Sequence, residues 1–413
     1  MNDSWKSEKL AYAPLQIIDG DRGNNYPKQN ELSDSGYCLF LNAGNVTGRG
    51  FDFTECQFIT EGKDNLLRKG RLARDDIVMT TRGTIGNIGF FNNQVPYDNV
   101  RINSGMVIFR CETERLVPSY LYHFLRSPYF KGHVNALRSG VAQPQLPIKD
   151  MKYIDIPLPL LDTQHHIADM LSAYDDLIEN NRRRIGLLEQ SARLLYKEWL
   201  VHLRFPGHEH VRIIDGVPDG WRKLNLSELV DTQYGFTETA SYEPVGPKFL
   251  RGTDINKTPY IDWSTVPYCS EEKLDFPKYA LSPGDIVVIR MADPGKVAII
   301  EKEIKAVFAS YLVRMKVRAS AEVPPLYMYY VLSDDRYQRS IAGASEKSTR
   351  KSASAKLLTD FNLVKPSKAL LLLFVEQVQP LRQQINVLLD QKALLEHSRD
   401  LLLPHLMNGE IAV

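Results

Sequence analysis

Long apolar runs are missing from this chain. The longest, Ala369 to Val375, falls far short of the roughly 20 residues a membrane-spanning helix needs, so no membrane segment is expected. Paired cysteines are missing too: Cys38, Cys56, Cys111 and Cys269 form no C-x-x-C motif and sit in no Cys/His cluster. They read as reduced, buried small hydrophobes. Charge of one sign is not in excess, with 51 Lys+Arg against 50 Asp+Glu. That excludes a histone-like polycation but leaves open nucleic-acid binding through a local basic face. The start, Met1 to Lys6, has neither a basic cluster nor an apolar stretch, which argues against secretion and for a cytoplasmic protein.

Catalytic signatures are equally scarce. There is no G-x-x-x-x-G-K-[ST] and no G-x-G-x-x-G; the run Gly83-Thr-Ile-Gly86-Asn-Ile-Gly89 is spaced differently and reads as a turn between strands. No Asn-Pro-Pro-aromatic sequence of the amino-methyltransferase kind occurs. His202, His208 and His210 lack a carboxylate or cysteine cluster that would complete a metal site. The best enzymatic candidate is a stand-alone nuclease in which Asp293 and Glu303 hold Mg²⁺ beside Lys305. Its counterpart in the other half, Thr84 to Phe91, carries no acidic residue, and a charged strand edge is the simpler reading. No catalytic residue and no metal ligand is therefore assigned.

What is present is one long internal repeat. Leu72-Ala-Arg-Asp-Asp76-Ile77-Val78 aligns with Leu281-Ser-Pro-Gly-Asp285-Ile286-Val287, a spacing of 285 − 76 = 209. Leu41 to Val46 aligns with Leu250 to Ile255 at the same 209. Pro118-Ser-Tyr120 aligns with Pro325-Leu-Tyr327, and Leu188-Glu189 with Leu395-Glu396, both at 207. Ordered matches at nearly constant spacing point to duplication, so the 413 residues form one unit used twice.

Each half changes texture once. Its first part is rich in Gly, Pro, Asn and aromatics, with short β-branched runs at Asp76–Thr81, Met106–Phe109 and Asp285–Ile289 that read as strands. Tyr120–Leu125 and Tyr327–Leu332 read as short helices. Its second part is one long helix. Ile167, Leu171, Tyr174, Ile178, Ile185, Leu188, Ala192, Leu195 and Trp199 follow the 3-4 alternation of a coiled-coil seam broken at Asn181. Phe374, Val378, Leu381, Ile385, Leu388, Leu395, Leu402 and Leu406 repeat it 207 residues on, with Lys392 and Arg399 off the pattern. The expected fold is α+β: two pseudo-twofold-related α/β domains joined by two long helices that pair as an antiparallel coiled coil. The expected boundaries are 1–160 for the first domain, 161–204 for the first helix, 205–220 for a linker, 221–366 for the second domain and 367–413 for the second helix and tail.

Three stretches combine positive charge with groups able to read base edges. The first runs from Arg101 through Asn103 to Arg138; the second is the loop Arg138-Ser139-Gly-Val-Ala-Gln143-Pro-Gln145; the third is Glu346-Lys347-Ser348-Thr-Arg350-Lys351. Arg82 and Arg290, with Lys296 beyond the latter, follow corresponding strands. Arg can bond guanine bidentately, Asn and Gln adenine, and Lys, Ser and Thr can hold phosphates. Two such readers on a rigid spacer suit double-stranded DNA with half-sites about one helical turn, or 34 Å, apart. Their loops differ while the framework repeats, so an asymmetric split target is expected. The remaining competitor is a coiled-coil scaffold with no nucleic-acid role.

The chain resembles the specificity subunit of type I restriction-modification systems. The resemblance is carried by Ile154-Asp-Ile-Pro157-Leu-Pro159 with Gln164 and the helix to Trp199, by Arg204-Phe205-Pro206-Gly207-His208, and by Pro218-Asp219-Gly220-Trp221. Leu281 to Val287 and the ending Leu402-Leu-Pro404-His-Leu-Met-Asn-Gly409-Glu-Ile411 add to it. It implies two target-recognition domains alternating with two spacer helices. It also implies a non-catalytic, DNA-binding chain that carries no cofactor. Its partners would be two methyltransferase subunits using S-adenosylmethionine and motor-nuclease restriction subunits using ATP and Mg²⁺.

Overall fold

A computed structural model describes residues 5–137, 145–256, 258, 260–345 and 352–411. The chain divides into two compact units, Met1–Asn180 with Leu394–Val413, and Asn181–Ala393.

The first unit is built on a four-stranded antiparallel sheet of β1 (Leu15–Asp19), β2 (Ile77–Thr80), β3 (Ile88–Phe90) and β4 (Met106–Cys111), in the order β1-β4-β2-β3. Both inner strands are mostly apolar, with Thr80 and Arg110 as exceptions, because both faces of the sheet are covered. The two-residue period decides which side chain goes where. Ile77, Met79, Val107 and Phe109 pack toward the helices, while Val78, Met106 and Ile108 pack with Leu39, Leu41 and Val100 on the other face. That second layer holds Cys38–Leu41 paired in parallel with Val100–Ile102.

In the second unit the same plan recurs. Its sheet comprises β5 (Val230–Tyr234), β6 (Ile286–Ile289), β7 (Val297–Ile299) and β8 (Leu312–Val317), ordered β5-β8-β6-β7. Ile286, Val288, Val313 and Met315 pack on one face, Val287, Ile289 and Leu312 on the other, and Lys248–Leu250 pairs in parallel with Ala306–Phe308.

The repeat extends to backbone conformation and single hydrogen bonds. Left-handed φ values fall at Asp75 and Gly284, at Gly83 and Ala292, and at Gly86 and Gly295, three pairs each 209 apart. Helices α1 (Pro118–Arg126) and α3 (Pro325–Ser333) both begin on proline, which suits a first turn whose N–H needs no partner. They contain the expected Tyr120–Leu125 and Tyr327–Leu332 segments. The Tyr120 hydroxyl donates to the Pro157 carbonyl at 2.9 Å, and the Tyr327 hydroxyl to the Val364 carbonyl at 2.6 Å, both partners displaced by 207.

The long helices are α2 (Leu161–Tyr196), closed by a π-helical turn over Lys197–Val201, and α4 (Lys368–Met407). Within each unit they pair antiparallel, early residues of one against late residues of the other. In the first unit Ile167, Ala168 and Leu171 meet Leu403, Leu406 and Met407. In the second Ile185 meets Ile385, Leu388 and Leu389, and Ala192 and Tyr196 meet Phe374 and Val378. The seam departs from its expected reading at Leu381, which is only half-buried while Arg382 beside it is 1% exposed, and at Leu402, half-buried while Leu403 beside it is buried.

Each pairing carries an ion cluster. In the first unit Asp175 is bonded by Arg126 and, at 2.6 Å, by Arg399, so the off-pattern Arg399 is a partner of the seam. In the second unit Arg382 donates to Glu189 at 2.7 Å and to both Glu301 oxygens at 2.9 and 2.6 Å. Burial works against its charge, and the Glu301 carboxylate overrides that, holding the guanidinium protonated.

Beside Asp175 sits His123, 1% exposed, with Nε2 at 3.2 Å from the Ser172 hydroxyl. Burial pushes its pKa down to about 3; Asp175 opposes the shift, and Arg126 and Arg399 add to it. Folded His123 is therefore neutral, whereas the unfolded chain takes up a proton as pH falls below the ordinary 6.5. Its contribution to stability is complete above about pH 6.5 and is lost on acidification, by at most about 1.4 kcal/mol per pH unit. Urea midpoints measured between pH 7 and 4.5 should fall for the native chain and flatten in His123→Gln. An unchanged slope in the variant would remove His123 as the cause.

All four cysteines are free, Cys38 and Cys269 buried, Cys56 and Cys111 half-buried. Burial raises the Cys38 and Cys111 thiols to about 12, which keeps them unreactive. No helix among the described residues is long and apolar enough to cross a membrane.

Candidate nucleic-acid interface

In the first domain the turn joining β2 to β3 closes with Gly86 N–H on the Thr80 carbonyl at 2.9 Å. Gly83 and Gly86 supply the left-handed φ values of 71° and 86° that this turn requires. Arg82 projects from it, exposed, and pairs through the backbone with Gln145, also exposed. Thr81 ties the neighbourhood together, donating to the Gly105 carbonyl at 2.7 Å and accepting from Leu146 N–H at 3.0 Å. Asn103 lies one step away, its side-chain oxygen accepting from Gly105 N–H at 2.8 Å. Arg82, Asn103 and Gln145 thus meet at one end of the sheet. Arg22 joins them: its guanidinium donates to Asp19 at 3.2 Å and to the Ser104 carbonyl at 3.4 Å.

The second domain builds the same corner. Gly295 N–H closes the turn on the Ile289 carbonyl at 2.9 Å, Arg290 N–H donates to the Tyr311 carbonyl at 2.9 Å, and Ala353 N–H donates to the Arg290 carbonyl at 2.8 Å. Met291 pairs with Ser352 as Arg82 does with Gln145. The backbone therefore equates Thr81 with Arg290 and Arg82 with Met291, so the two arginines are not counterparts although both follow corresponding strands. Lys296 is exposed just beyond the turn.

Of the remaining expected site residues, Arg138, Ser139, Gln143, Lys347, Ser348, Arg350 and Lys351 lie outside the described residues. Arg101 requires a correction. It is 5% exposed, is ion-paired to the buried Asp64, and donates to the carbonyls of Lys69 at 2.7 Å, Asp64 at 2.9 Å and Leu67 at 3.1 Å. Every donor group it has turns inward, so it holds the second layer together and offers nothing to a ligand. The nuclease constellation is also dispersed. Asp293 lies in the turn before β7 and Glu303 in the loop after it, at opposite ends of that strand, while Lys305 is bonded to Glu271 at 2.5 Å. Among the described residues no His/Cys/Asp/Glu group is placed to hold a metal ion.

Two aromatic residues at the second corner were not marked by sequence. β5 and β6 both pair with β8, with Tyr234 opposite Val313 and Ile289 opposite Leu312. This places Tyr234, Tyr311 and Arg290 around the start of β8. The Arg290 guanidinium lies over the Tyr234 ring, 5.0 Å from its centroid, and Ala355 N–H donates to the Tyr234 hydroxyl oxygen at 2.8 Å. By the same registers the first domain has Asp19, opposite Val107, where the second has Tyr234. No spacing rule links Tyr234 to Arg290; only the strand order does.

Two α/β domains thus each present a differently furnished corner on a repeated frame, and each packs on its own stretch of paired helix. Residues 16–190 match the family model described as the type I restriction modification DNA specificity domain. The chain is similar to the type I restriction enzyme MjaIX specificity subunit of Methanocaldococcus jannaschii, 25% identical over 403 residues, 89% of this chain and 86% of that one. It is similar also to the EcoBI specificity subunit of Escherichia coli, 30% identical over 147 residues, 34% of this chain and 30% of that one. Among solved structures it shares the fold of the S subunit of a type I restriction-modification system from M. genitalium, with TM-score 0.59 and 15% identity over 98% of this chain and 97% of that one. Residues 16–190 thus carry the likeness to the DNA specificity domain, and over most of its length the chain is similar to proteins named type I restriction enzyme specificity subunits.

Proposed function

We propose that this chain reads a two-part, asymmetric DNA target, each recognition domain contacting one half-site, and that its long helices dock methyltransferase subunits. The observation that carries the reading is the repeated corner with unlike side chains: Asp19, Arg82 and Gln145 in one domain stand where Tyr234, Met291 and Ser352 stand in the other. One scaffold with two chemistries suits two different half-sequences. Lys296 and other exposed cations would supply sequence-independent phosphate affinity, which falls as salt rises.

Docking is supported by exposed leucines on the helices. Leu187 and Leu194 in the second unit are 63% and 53% exposed; Leu394 and Leu401 in the first, each 207 residues later, are 67% and 55% exposed. Single exposed leucines are ordinary, but a pair one heptad apart that recurs in the repeat suits a matching pair of partners. Those partners would bring S-adenosylmethionine, and restriction subunits would bring ATP and Mg²⁺; this chain would supply the address.

The test is to exchange residues 1–155 for the matching domain of a relative and map methylated sites in the host genome. One half of the motif should change and the other remain. A change in both halves, or in neither, would overturn the division of labour.

A further inference from the structure

We infer that Arg290, held over the Tyr234 ring, reads a guanine in the half-site of the second domain, with Tyr234 as its positioning residue. The inference rests on the proposed DNA reading and deepens it by naming one contact. Its starting point is an arginine without a counter-ion. Arg251, Arg314 and Arg318 of the same domain are also half-buried, and each faces a carboxylate: Asp254 at 2.9 Å, Asp285 at 3.8 Å and Asp231 at 2.8 Å. Arg290 has none among the described residues, and its buried Nε–H has no hydrogen-bond partner. A half-buried guanidinium left unneutralised is unfavourable in the free chain. It is stabilised when a ligand brings the acceptors.

Three features fix the side chain rather than leave it to swing. Its backbone N–H and carbonyl are both used, by Tyr311 and Ala353. Its guanidinium lies over the Tyr234 ring, 5.0 Å from the centroid. That ring is itself pinned from the far side by the Ala355 N–H, at the first turn of the helix Ala355–Thr359. A guanidinium held over a ring has less freedom to swing, and its planar donor set forms a directed fork. That geometry matches the adjacent O6 and N7 acceptors of guanine in the major groove. A phosphate needs no such orientation, and the exposed Lys296 at the end of the same turn provides the mobile cation that would serve one. The equivalent position in the first domain is Thr81, with Asp19 in place of the tyrosine. This guanine contact therefore belongs to one half-site alone.

The test uses the full chain assembled with its methyltransferase subunit. The motif is first mapped from the wild-type modification pattern. Affinities are then measured for short duplexes carrying that motif and each single-base-pair change, over a series of salt concentrations. In Arg290→Ala, and equally in Arg290→Lys, discrimination at one G·C pair of the second half-site should drop by roughly 5- to 150-fold. Every other position should keep its preference, and the salt slope should stay as it was. Tyr234→Leu should weaken discrimination at that same pair. A loss uniform across all sequences, with the salt slope reduced by about one and binding restored by lysine, would make Arg290 a phosphate contact and overturn the inference. No change at any base pair would overturn it too. If Tyr234→Leu altered thermal stability alone, the positioning role would fall. A wild-type complex that modifies no two-part motif would refute the underlying function, an outcome separate from all of these.

Discussion

Arg382→Ala should lower the stability of the second unit by about 3–5 kcal/mol, because it leaves two carboxylates facing each other in a buried seam. The guanidinium is 1% exposed and joins Glu189 on α2 to Glu301 in the loop after β7, while lying 5.1 Å from the centre of the Tyr329 ring. Glu189 is held from its other oxygen by Arg193 at 2.9 Å, so removing the central cation strands a group that is fixed in place. The desolvation already incurred by the carboxylates is then no longer offset. Replacing Arg382, Glu189 and Glu301 together by apolar residues of similar volume should be far milder, since burying three charges has little net advantage over burying a packed core. Urea denaturation of the single and triple variants measures both. A shift under about 0.5 kcal/mol for Arg382→Ala, the range of ordinary surface substitutions, would show that the network contributes nothing.

Asp64→Ala is expected to destabilise the first unit by a similar amount, about 3–5 kcal/mol. Asp64 is 0% exposed and receives Arg101 together with Arg71, the latter at 3.1 Å. Without it, the Arg101 charge remains buried with carbonyl oxygens alone. The companion variant Arg101→Met separates structure from recognition. It should lower the unfolding midpoint while the methylated motif of the assembled complex stays unchanged. A changed motif in a variant of normal stability would return Arg101 to the DNA-reading residues.

Much of the architecture was legible because it was written twice. The paired segments around Asp76 and Asp285 revealed the duplication, and they are indeed equivalent strand starts. The seam from Ile167 to Trp199 gave the long helix, since burial at 3-4 spacing depends on neighbours close in sequence. Arg382 was passed over in favour of Leu381 for the same reason. Its partners lie 193 and 81 residues away, and a charged residue reads as solvent-facing unless those partners are known. The site was less legible. Charge density picked out Arg101, but the side chain is drawn inward by an aspartate 37 residues earlier. Arg82 and Arg290 were set side by side by counting from their strands, whereas the hydrogen bonds at Gly105 and Tyr311 put them one residue out of step. Tyr234 could not be found at all without the strand order that carries β5 to the side of β8.

The two ion clusters have a bearing on the history of the molecule. Position 175 and its duplicate at 382 − 207 = 175 hold opposite charges: an aspartate between arginines in one unit, an arginine between glutamates in the other. Copies that began alike have thus been made non-interchangeable at this position between the paired helices. A segment grafted from one half into the other would bring like charges together. The duplication is locked by that inversion, which lets the exposed corners diverge freely while each helix stretch keeps its own partner.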